Sequence, residues 1–342
     1  MKTSTEGLAL LLLATAVAQV SHAQFTLSPP PPAAVNNQAV LVVPLADQGP
    51  LLRNSDAALA ANKKLVYDMW RTVMSAGQVD RMAQYFATDL KQHNPVIGTG
   101  LAAYQKWLQP QLKRKEQVPA TIEEPLITLI AEGNHVGMAF VTRYPEPADA
   151  SKTYTSTHFY LFRLEDGKIT EMWESTQIPT GVVPPAENAG GPLPVKGIAG
   201  NAQLPMILSK DRSLANNKRV VFDLWRQVPE AGREEVSELY LDETYIQHNP
   251  NATTGRAGFK EYMAGRPDKP IETFVGHPVI AYVAEGNLVM QVLEETRPDP
   301  NKKGAMYKVA WFDLFRIADG LLIEHWDAAA KGELPADMKQ AK

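Results

Sequence analysis

The chain has 342 residues, a net charge of −4 and no cysteine. Its length is sufficient for two domains, each with a core of ordinary size. The absence of cysteine excludes disulfides, thiol chemistry and a lipid anchor on an N-terminal cysteine. A slightly acidic chain without a long basic run is not typical of nucleic-acid-binding proteins, so we expect no nucleic acid partner.

The N-terminal segment 1–23 has the pattern of a secretory signal peptide. Lys2 precedes an apolar run, and Ser21-His22-Ala23 resembles the small-x-small sequence before a signal-peptidase cut. We therefore expect cleavage after Ala23 and a periplasmic or secreted protein. No later segment approaches the ~20 apolar residues that a membrane span needs, so we expect no span after cleavage.

Residues 24–54 contain four consecutive prolines and little periodicity, which predicts a semi-rigid spacer. The chain that follows is a tandem repeat. The segment ANKKLVYDMWR from Ala61 returns as ANNKRVVFDLWR from Ala215, and QHNP at 92–95 returns at 247–250. Constant elements separated by loops of slightly different length indicate a duplicated domain.

We predict a first domain at 55–180 (repeat 1), a Gly/Pro-rich linker at 181–208 and a second domain at 209–335 (repeat 2). Each repeat begins with an amphipathic helix, because apolar residues recur at i, i+3, i+4 and i+7. Two short helices follow, and then strands with Glu-Gly-Asn and Asp-Gly turns. Helices followed by a run of antiparallel strands predict an α+β domain, with a curved sheet wrapped on the helices.

The segment 311–327, WFDLFRIADGLLIEHWD, carries the main candidate site residues. Two apolar runs separated by an Asp-Gly pair predict a β-hairpin. With a three-residue loop, Asp313 lies opposite His325 and shares its face. Trp311 then lies opposite Asp327, and the two carboxylates flank the imidazole. With a two-residue loop, Asp313 lies on the other face. We expect the three-residue loop.

The residues of repeat 2 that could do chemistry are His248, Asn249, Asp313, His325 and Asp327. An Asp or His acts as a general base when burial or a neighbour moves its pKa toward the working pH. His248 and Asn249 can donate hydrogen bonds to an oxygen that gains negative charge. Structural interpretations stay open: QHNP could end a strand and form a turn, and His325 with Asp327 could be a buried pair.

Other patterns favour structure over binding. Trp225, Tyr240 and Trp326 fit the periodicity of core residues better than that of a ligand platform. Two histidines and two carboxylates could ligate zinc or iron, but no closely spaced histidine pair fixes such a site, so we expect no metal. The chain has no glycine-rich phosphate loop, nucleophile elbow or His-Glu-x-x-His motif.

Two motifs of repeat 2 carry a family resemblance: QHNP followed by a glycine and an aromatic helix, and DLFRIADGLLIEHWD at 313–327. Together they resemble the SnoaL-like polyketide cyclase family of the nuclear transport factor 2-like superfamily. The resemblance covers nearly all of both repeats. It implies two tandem cone-shaped α+β domains, each with N-terminal helices packed in a curved mixed or antiparallel sheet. It also implies cofactor-free ring closure by intramolecular aldol condensation.

The resemblance implies a role for each candidate residue. Asp327 would be the acid/base that removes a proton next to a carbonyl. His325 and Asp313 would be its neighbours in the cavity. His248 and Asn249 would be polar contacts at the cavity mouth.

Repeat 1 departs from this pattern where chemistry would occur. Tyr160, Met172 and Glu174 stand where repeat 2 has Asp, His and Asp. We interpret repeat 1 as a degenerate site that keeps the fold. Because many relatives are homodimers, the resemblance suggests that the two repeats form an internal pseudo-dimer or that the chain forms a homodimer.

We therefore expect an exported, cofactor-independent enzyme that transfers a proton next to a carbonyl of a small apolar substrate, in an aldol cyclisation, isomerisation or dehydration. One alternative is a non-catalytic protein that holds a hydrophobic molecule. Another is an epoxide-type hydrolase, which needs an arginine between two carboxylates. No arginine lies on the predicted face of Asp313 and His325, since Arg316 points the other way.

Overall fold

The computed structural model describes residues 39–185 and 190–333. The predicted signal peptide, its cleavage site and the four consecutive prolines lie outside these residues. Among the described residues, no helix is both long and apolar enough to cross a membrane.

Repeat 1 consists mainly of helices followed by strands, as predicted, but one strand that was not predicted precedes its last helix. A 3-10 helix precedes α1, and α1 continues directly into a π-helical segment. The elements are a 3-10 helix (Gly49–Leu52), α1 (Ala57–Met69), the π-helix (Trp70–Ser75), a 3-10 helix (Val79–Gln84), β1 (Phe86–Gln92), α2 (Leu101–Leu108), β2 (Leu126–Glu132), β3 (His135–Glu146), β4 (Asp149–Glu165) and β5 (Lys168–Glu174).

Repeat 2 follows the same order of elements, except that its first helix is α-helical throughout. The elements are a 3-10 helix (Gly200–Ile207), α3 (Arg212–Gln227), a 3-10 helix (Glu234–Leu239), β6 (Leu241–Gln247), α4 (Gly255–Met263), β7 (Val279–Glu285), β8 (Leu288–Pro298), β9 (Met306–Ala318) and β10 (Leu321–Asp327).

The first helix of each repeat begins at an aspartate. The Asp56 carboxylate accepts the backbone N–H of Ala58 at 2.8 Å, and Asp211 accepts that of Ser213 at 2.8 Å. These bonds satisfy N–H groups that have no partner within the helix. The apolar stripe of each helix then packs on the sheet, as its periodicity predicts.

Each repeat forms one five-stranded mixed sheet, in the order β1-β5-β4-β3-β2 and β6-β10-β9-β8-β7. The first strand pairs in parallel with the last, and the other neighbours are antiparallel. The predicted α+β class is confirmed. The parallel pair matters for the site, because it places Gln247 at the end of β6 beside His325 of β10.

The turn of the β9–β10 hairpin differs from the prediction. Ala318 pairs with Leu321, so the loop has two residues. Asp319 and Gly320 both have positive φ, 50° and 79°. Positive φ at both central residues is the conformation of a type I′ turn, which matches the twist of the adjoining strands. The expected three-residue loop is wrong.

A β-bulge in β10 nevertheless brings the site residues to one face. The register shifts by one at Ile323, which has no partner in β9. Asp313 consequently pairs with Asp327. The expected pairing of Asp313 with His325 is therefore wrong, and so is that of Trp311 with Asp327. Because paired residues and second neighbours share a face, both carboxylates and the imidazole still lie together.

The two repeats pack sheet against sheet. One apolar cluster contains side chains of both sheets, and Phe159 stacks on Phe312 at 5.6 Å. Its larger members are Ile127, Ile130, Phe159, Leu161 and Trp173 from repeat 1, with Leu288, Met290, Phe312, Leu314 and Trp326 from repeat 2. Burial of this apolar area on both partners makes each repeat part of the other's core.

Two ion pairs flank this interface in a pseudo-symmetric arrangement. Lys63 Nζ of α1 lies 2.6 Å from Glu285 Oε1 of repeat 2, and Lys218 Nζ of α3 lies 2.7 Å from Glu132 Oε1 of repeat 1. Both lysine side chains are 3% exposed. Each glutamate also accepts a backbone N–H from the opposite sheet, at 2.7 and 2.8 Å. The repeats are thus arranged as an internal pseudo-dimer.

The segment before repeat 1 crosses from one repeat to the other. Val40 N–H donates to Gln247 O of repeat 2 at 3.0 Å, whereas Leu45 N–H donates to Leu126 O of repeat 1 at 2.7 Å. The described part of the predicted spacer therefore lies on both domains and is not a free tether.

The linker makes the reciprocal crossing. His93 Nδ1 lies 3.2 Å from Leu193 O, and Ile198 exchanges two backbone hydrogen bonds with Val279 of repeat 2, both 2.8 Å long. The linker is also fixed by side chains, since the Gln203 amide donates to Val275 O at 2.8 Å and Val195 is buried between the sheets. Each repeat thus receives an ordered segment that starts on the other repeat.

Candidate active site

A cavity of about 720 Å³ opens into repeat 2. This volume is typical of small-molecule sites. Helices α3 and α4 and the concave side of the sheet supply a largely aromatic and apolar wall, which includes Leu224, Trp225, Phe259, Tyr262, Met263, Leu293, Trp311 and Phe315. Five polar residues interrupt this wall: Gln247, Asn249, Asp313, His325 and Asp327.

Asp327 lies at the end of β10 with both carboxylate oxygens hydrogen-bonded. Asn249 Nδ2 donates to Oδ2 at 2.6 Å, and the Ala329 N–H donates to Oδ1 at 3.1 Å. Burial raises the pKa of Asp327 from 3.8 to about 6, and His325 and these two donors only partly oppose the shift. A carboxylate with a pKa near neutrality is suited to act as a general base.

Gln247 determines the tautomer of His325. The Asn249 N–H donates to Gln247 Oε1 at 3.0 Å, so this atom is the carbonyl oxygen. His325 Nδ1 lies 3.0 Å from the same oxygen and must carry the proton that it donates. Burial lowers the pKa of His325 from 6.5 to about 4. The imidazole is therefore neutral near pH 7, and Nε2 is an acceptor.

Asp313 completes a neutral pair with His325. Its Oδ1 lies 3.1 Å from His325 Nε2, and burial raises the pKa of Asp313 well above 3.8. Because Nε2 is an acceptor, the bond requires a protonated Asp313 that donates to it. The Trp311 indole N–H also approaches Oδ1, at 3.3 Å. The cluster thus holds one ionisable base, Asp327, beside a carboxylic acid and a neutral imidazole.

The same three side chains have the spacing of metal ligands. One carboxylate oxygen of Asp313, one of Asp327 and one ring nitrogen of His325 all lie within 4.8 Å of one another. The sequence analysis expected no metal because it found no closely spaced histidines. The hydrogen bonds described above, however, give each of the three residues a partner within the protein.

His248 does not lie in the cavity, and its predicted place at the cavity mouth is wrong. Its Nε2 lies 2.9 Å from Glu324 Oε1, and its Nδ1 lies 2.9 Å from Val40 O. The ring stacks on Trp326 with centroids 5.1 Å apart. Successive residues at the strand end point to opposite sides, so Asn249 reaches Asp327 while His248 anchors the N-terminal segment.

The three aromatic residues that the periodicity assigned to the core differ in position. Trp326 is buried between the sheets, as predicted, and Tyr240 packs against the core of repeat 2. Trp225 instead lines the cavity, and its Nε1–H has no hydrogen-bond partner among the described residues. Its ring lies 6.4 Å from Phe315, which stacks on His325 at 4.7 Å. Periodicity could not separate a core wall from a cavity wall.

Repeat 1 has a different polar group at the equivalent position. Glu174 lies opposite Tyr160, as Asp327 lies opposite Asp313. The Tyr160 hydroxyl donates to Glu174 at 3.1 Å, and His158 Nε2 lies 3.0 Å from the same carboxylate.

These partners reverse the direction of the pKa shift. Burial of Glu174 favours the neutral carboxyl, but the His158 and Asn94 side chains lower its pKa below 4.5. The space before it is filled, since Trp70 packs on Tyr160 at 4.7 Å and on Phe140 at 4.4 Å. His158 was missed in the sequence because it has no histidine counterpart in repeat 2.

The cavity contains an arginine that the sequence analysis did not find. Arg297 of β8 contacts Glu295 Oε2 through Nε and a terminal nitrogen, at 3.0 and 2.9 Å, and also pairs with Glu333. Its guanidinium lies 5.2 Å from the centre of the Trp311 ring. Arg297 belongs to the neighbouring strand β8 and not to the hairpin that carries the predicted site residues.

Repeat 1 helps to build the cavity wall of repeat 2. The segment after β10 is held by Ser156 Oγ, which donates to Ala329 O at 2.8 Å, and by Tyr154 Oη, which accepts the Lys331 N–H at 3.0 Å. Gln177 Nε2 donates to Glu333 at 3.0 Å. Repeat 1 therefore positions residues that line the cavity of repeat 2.

Comparison with known proteins gives one match to a family model. The sequence profile of the SnoaL-like domain matches residues 67–172. The architecture is that of two tandem α+β domains, and repeat 1 is similar to the SnoaL-like domain over the matched residues. The match falls on repeat 1, although the motifs that indicated the resemblance are more complete in repeat 2.

Solved structures that are similar to this chain match about one repeat of it. A candidate polyketide cyclase from Acidithiobacillus ferrooxidans is 16% identical, and the alignment covers 33% of this chain and 86% of that one, with a TM-score of 0.25. A second candidate polyketide cyclase, from Xanthomonas campestris pv. campestris, is 23% identical over 33% of this chain and 88% of its own, with a TM-score of 0.25. Comparison with curated proteins gave no match.

Proposed function

We propose that the protein is an exported, cofactor-independent enzyme that moves a proton on the carbon next to a carbonyl, in the cavity of repeat 2. The observation that carries the proposal is the buried Asp327 carboxylate, with a pKa of about 6, at an apolar cavity beside a neutral His325 and a protonated Asp313. Groups with pKa values driven apart in one site are the usual basis of acid/base assignment.

In the proposed reaction, Asp327 takes the proton from the substrate carbon, and an enolate forms at the carbonyl. Asn249 and the Ala329 N–H keep the carboxylate oriented while its charge changes. Asp327 then returns the proton to carbon, or the enolate carbon bonds to a second carbonyl carbon in a ring closure and Asp327 gives the proton to the alkoxide oxygen that forms.

Proton exchange tests this proposal without knowledge of the natural substrate. A panel of small aryl ketones in D2O is followed by NMR for loss of the α-proton signal. We expect exchange with the natural chain and a loss of about 10²–10⁴-fold for Asp327→Asn, the range typical of a general base. Glu174→Gln, at the equivalent position of repeat 1, is the matched control and retains exchange. Full exchange by Asp327→Asn contradicts the assignment.

Arg297 between Glu295 and Glu333 favours a second candidate, an epoxide-type hydrolase. In that reaction one carboxylate activates water and the other protonates the epoxide oxygen. Styrene oxide with gas-chromatographic detection of the diol tests it. Diol formation that Glu333→Gln abolishes and Asp327→Asn leaves unchanged would support the hydrolase over the proton-transfer enzyme.

The non-catalytic carrier is the remaining alternative. It predicts tight binding of an apolar ligand, nearly equal affinity in the Asp327→Asn variant, and no exchange or diol. Asp327 carries a desolvated charge that a pure binding cavity does not need, which favours an enzyme.

A further inference from the structure

We propose that the Arg297 end of the cavity is a carboxylate subsite, occupied here by the chain's own Glu333, and that the substrate is an apolar keto acid whose carboxylate takes the place of Glu333. This inference deepens the proposed function, on which it rests for the position of the chemistry, by naming the substrate class. The ligand binding that it describes can be measured without turnover.

The Glu333 carboxylate is held as a ligand carboxylate would be. Oε1 contacts the Arg297 guanidinium and accepts Gln177 Nε2–H at 3.0 Å, while Oε2 accepts the Ala330 N–H at 3.1 Å. Three donors from three different parts of the chain thus converge on one carboxylate. Such a set of donors can bind a planar anion. Arginine is well suited to a carboxylate because its N–H groups form a rigid planar array.

Arg297 has the properties of a binding residue at a cavity wall. Its side chain is 13% exposed, and that of Glu333 is 18% exposed. Glu295 neutralises the guanidinium from the other side, at 2.9 Å. Exchange of Glu333 for a ligand carboxylate leaves the number of charges around Arg297 unchanged, so no buried cation is left unpaired.

The subsite is linked to the proposed reaction centre by one indole ring. The Arg297 guanidinium lies 5.2 Å from the centre of Trp311, and Trp311 Nε1 lies 3.3 Å from Asp313 Oδ1. A ligand bound at Arg297 therefore has to extend along Trp311 to place a carbonyl near Asp327. This geometry selects an acid whose carbonyl is separated from the carboxylate by a short apolar chain or a ring.

Glu333 then acts as a competitor of the ligand. It lies six residues beyond the end of β10, in a segment fixed by backbone contacts to Asn251 at 2.9 Å. Its side chain can leave Arg297 by rotation while the backbone stays in place. A neutral ligand cannot replace its charge and gains nothing from this exchange.

The test uses the full chain with 3-benzoylpropionic acid and its methyl ester, measured by isothermal titration calorimetry. We expect the acid to bind about tenfold or more tightly than the ester, the difference typical of a charge-assisted hydrogen bond. Glu333→Gln removes the competing charge and should tighten the acid about tenfold while the ester is unchanged. Arg297→Met should remove the preference for the acid.

Lys331→Met is the matched control, because Lys331 is a nearby cation that pairs with Glu146 outside the subsite. It should keep the preference for the acid. Equal affinity of acid and ester for the natural chain overturns the proposal, and so does an unchanged affinity of the acid for Glu333→Gln. The Glu333→Gln variant keeps the ion pair of Arg297 with Glu295, so its result does not depend on a disturbed core.

Failure of the proposed function is distinguishable from failure of the subsite. In Asp327→Asn, acid-selective binding should persist although proton exchange is lost. Acid selectivity without exchange in the natural chain would support the subsite and reject the enzyme. Proton exchange without acid-selective binding would support the enzyme and reject the subsite.

Discussion

Asp313 lies directly opposite Asp327 across the β9–β10 ladder, because the bulge at Ile323 shifts the register by one residue. Two buried carboxyl groups are thereby placed beside one imidazole, with no lysine or arginine hydrogen-bonded to either carboxyl among the described residues. Two carboxylates in such a place cannot both ionise easily. Burial is the main cause of the raised pKa of both aspartates, and the neighbouring Asp313 adds to the rise in the pKa of Asp327.

The pH dependence of activity should follow Asp327. Because its pKa is about 6, the base is protonated in acid and ionised above neutrality. We expect kcat/KM for proton exchange to fall about tenfold per pH unit below pH 6 and to reach a plateau above it. Protonation of His325 should not contribute above pH 5, since its pKa is about 4. If kcat/KM fell only below about pH 4, or did not fall in acid at all, the assignment of Asp327 as the base would be contradicted.

Asp327→Asn should change the pH dependence of stability in a defined direction. The folded-state pKa is raised from 3.8 to about 6, so the stability contribution is present below pH 3.8 and is lost as the pH rises through 6. At pH 8 the buried charge destabilises the fold by about 3 kcal/mol. The melting temperature of the variant relative to the natural chain should therefore be higher at pH 8 than at pH 4.

Glu174→Gln is the control of opposite sign. The pKa of Glu174 is lowered, so its contribution is present above pH 4.5 and is lost as the pH falls. Relative to the natural chain, this variant should be less stable at pH 8 than at pH 3. If calorimetric scans showed that the relative stability of both variants changes with pH in the same direction, the two sites would not differ as described.

His248→Gln should reduce stability without changing proton exchange. The histidine bridges Glu324 and Val40 and lies outside the cavity, so its loss affects the N-terminal segment. We expect a loss of about 1–3 kcal/mol in urea unfolding, typical of removing one partner of a buried polar group. His93→Gln, in the equivalent position of repeat 1, should behave alike. A loss of exchange rate in folded His248→Gln would return this residue to the site.

Lys63→Met should weaken the contact between the repeats. Lys63 is 3% exposed, and its removal leaves Glu285 without its cation. We expect a loss of about 3 kcal/mol, the lower end for a broken buried ion pair, because Glu285 is 20% exposed. Lys64→Met is the control, since the Lys64 side chain is 67% exposed and its pair with Asp68 contributes little. Equal effects in equilibrium unfolding would show that the interface pair is not important.

Repeat 2 expressed alone should aggregate or self-associate. Without repeat 1, its sheet exposes Met290, Phe312, Leu314 and Trp326 to water. A contiguous apolar patch of this kind requires a partner. Light scattering coupled to size-exclusion chromatography measures the outcome, with co-expressed repeat 1 as the rescue control. A stable monomer of repeat 2 would remove the pseudo-dimer from the explanation of the fold.

Local sequence signals were sufficient for the repeat, the α+β class and the order of elements except for the first strand of each repeat. Duplication is visible in matched letters, and the amphipathic helices and Asp-Gly turn depend on neighbours along the chain. The shared face of Asp313, His325 and Asp327 was predicted correctly but for a wrong reason. The predicted loop was one residue too long and the bulge was not predicted. Each error alone would have moved Asp313 to the other face, and together they left it in place. A bulge has no residue signature as strong as that of a turn.

The sequence by itself identified the candidate site residues of the last hairpin and showed that repeat 1 has other residues at those positions. Only the tertiary structure decided that His248 is an anchor, that Gln247 sets the tautomer of His325, and that Arg297 with Glu333 borders the same cavity. These relationships join segments far apart in the chain. Their distances and protonation depend on strand register and burial, which residue order does not encode locally.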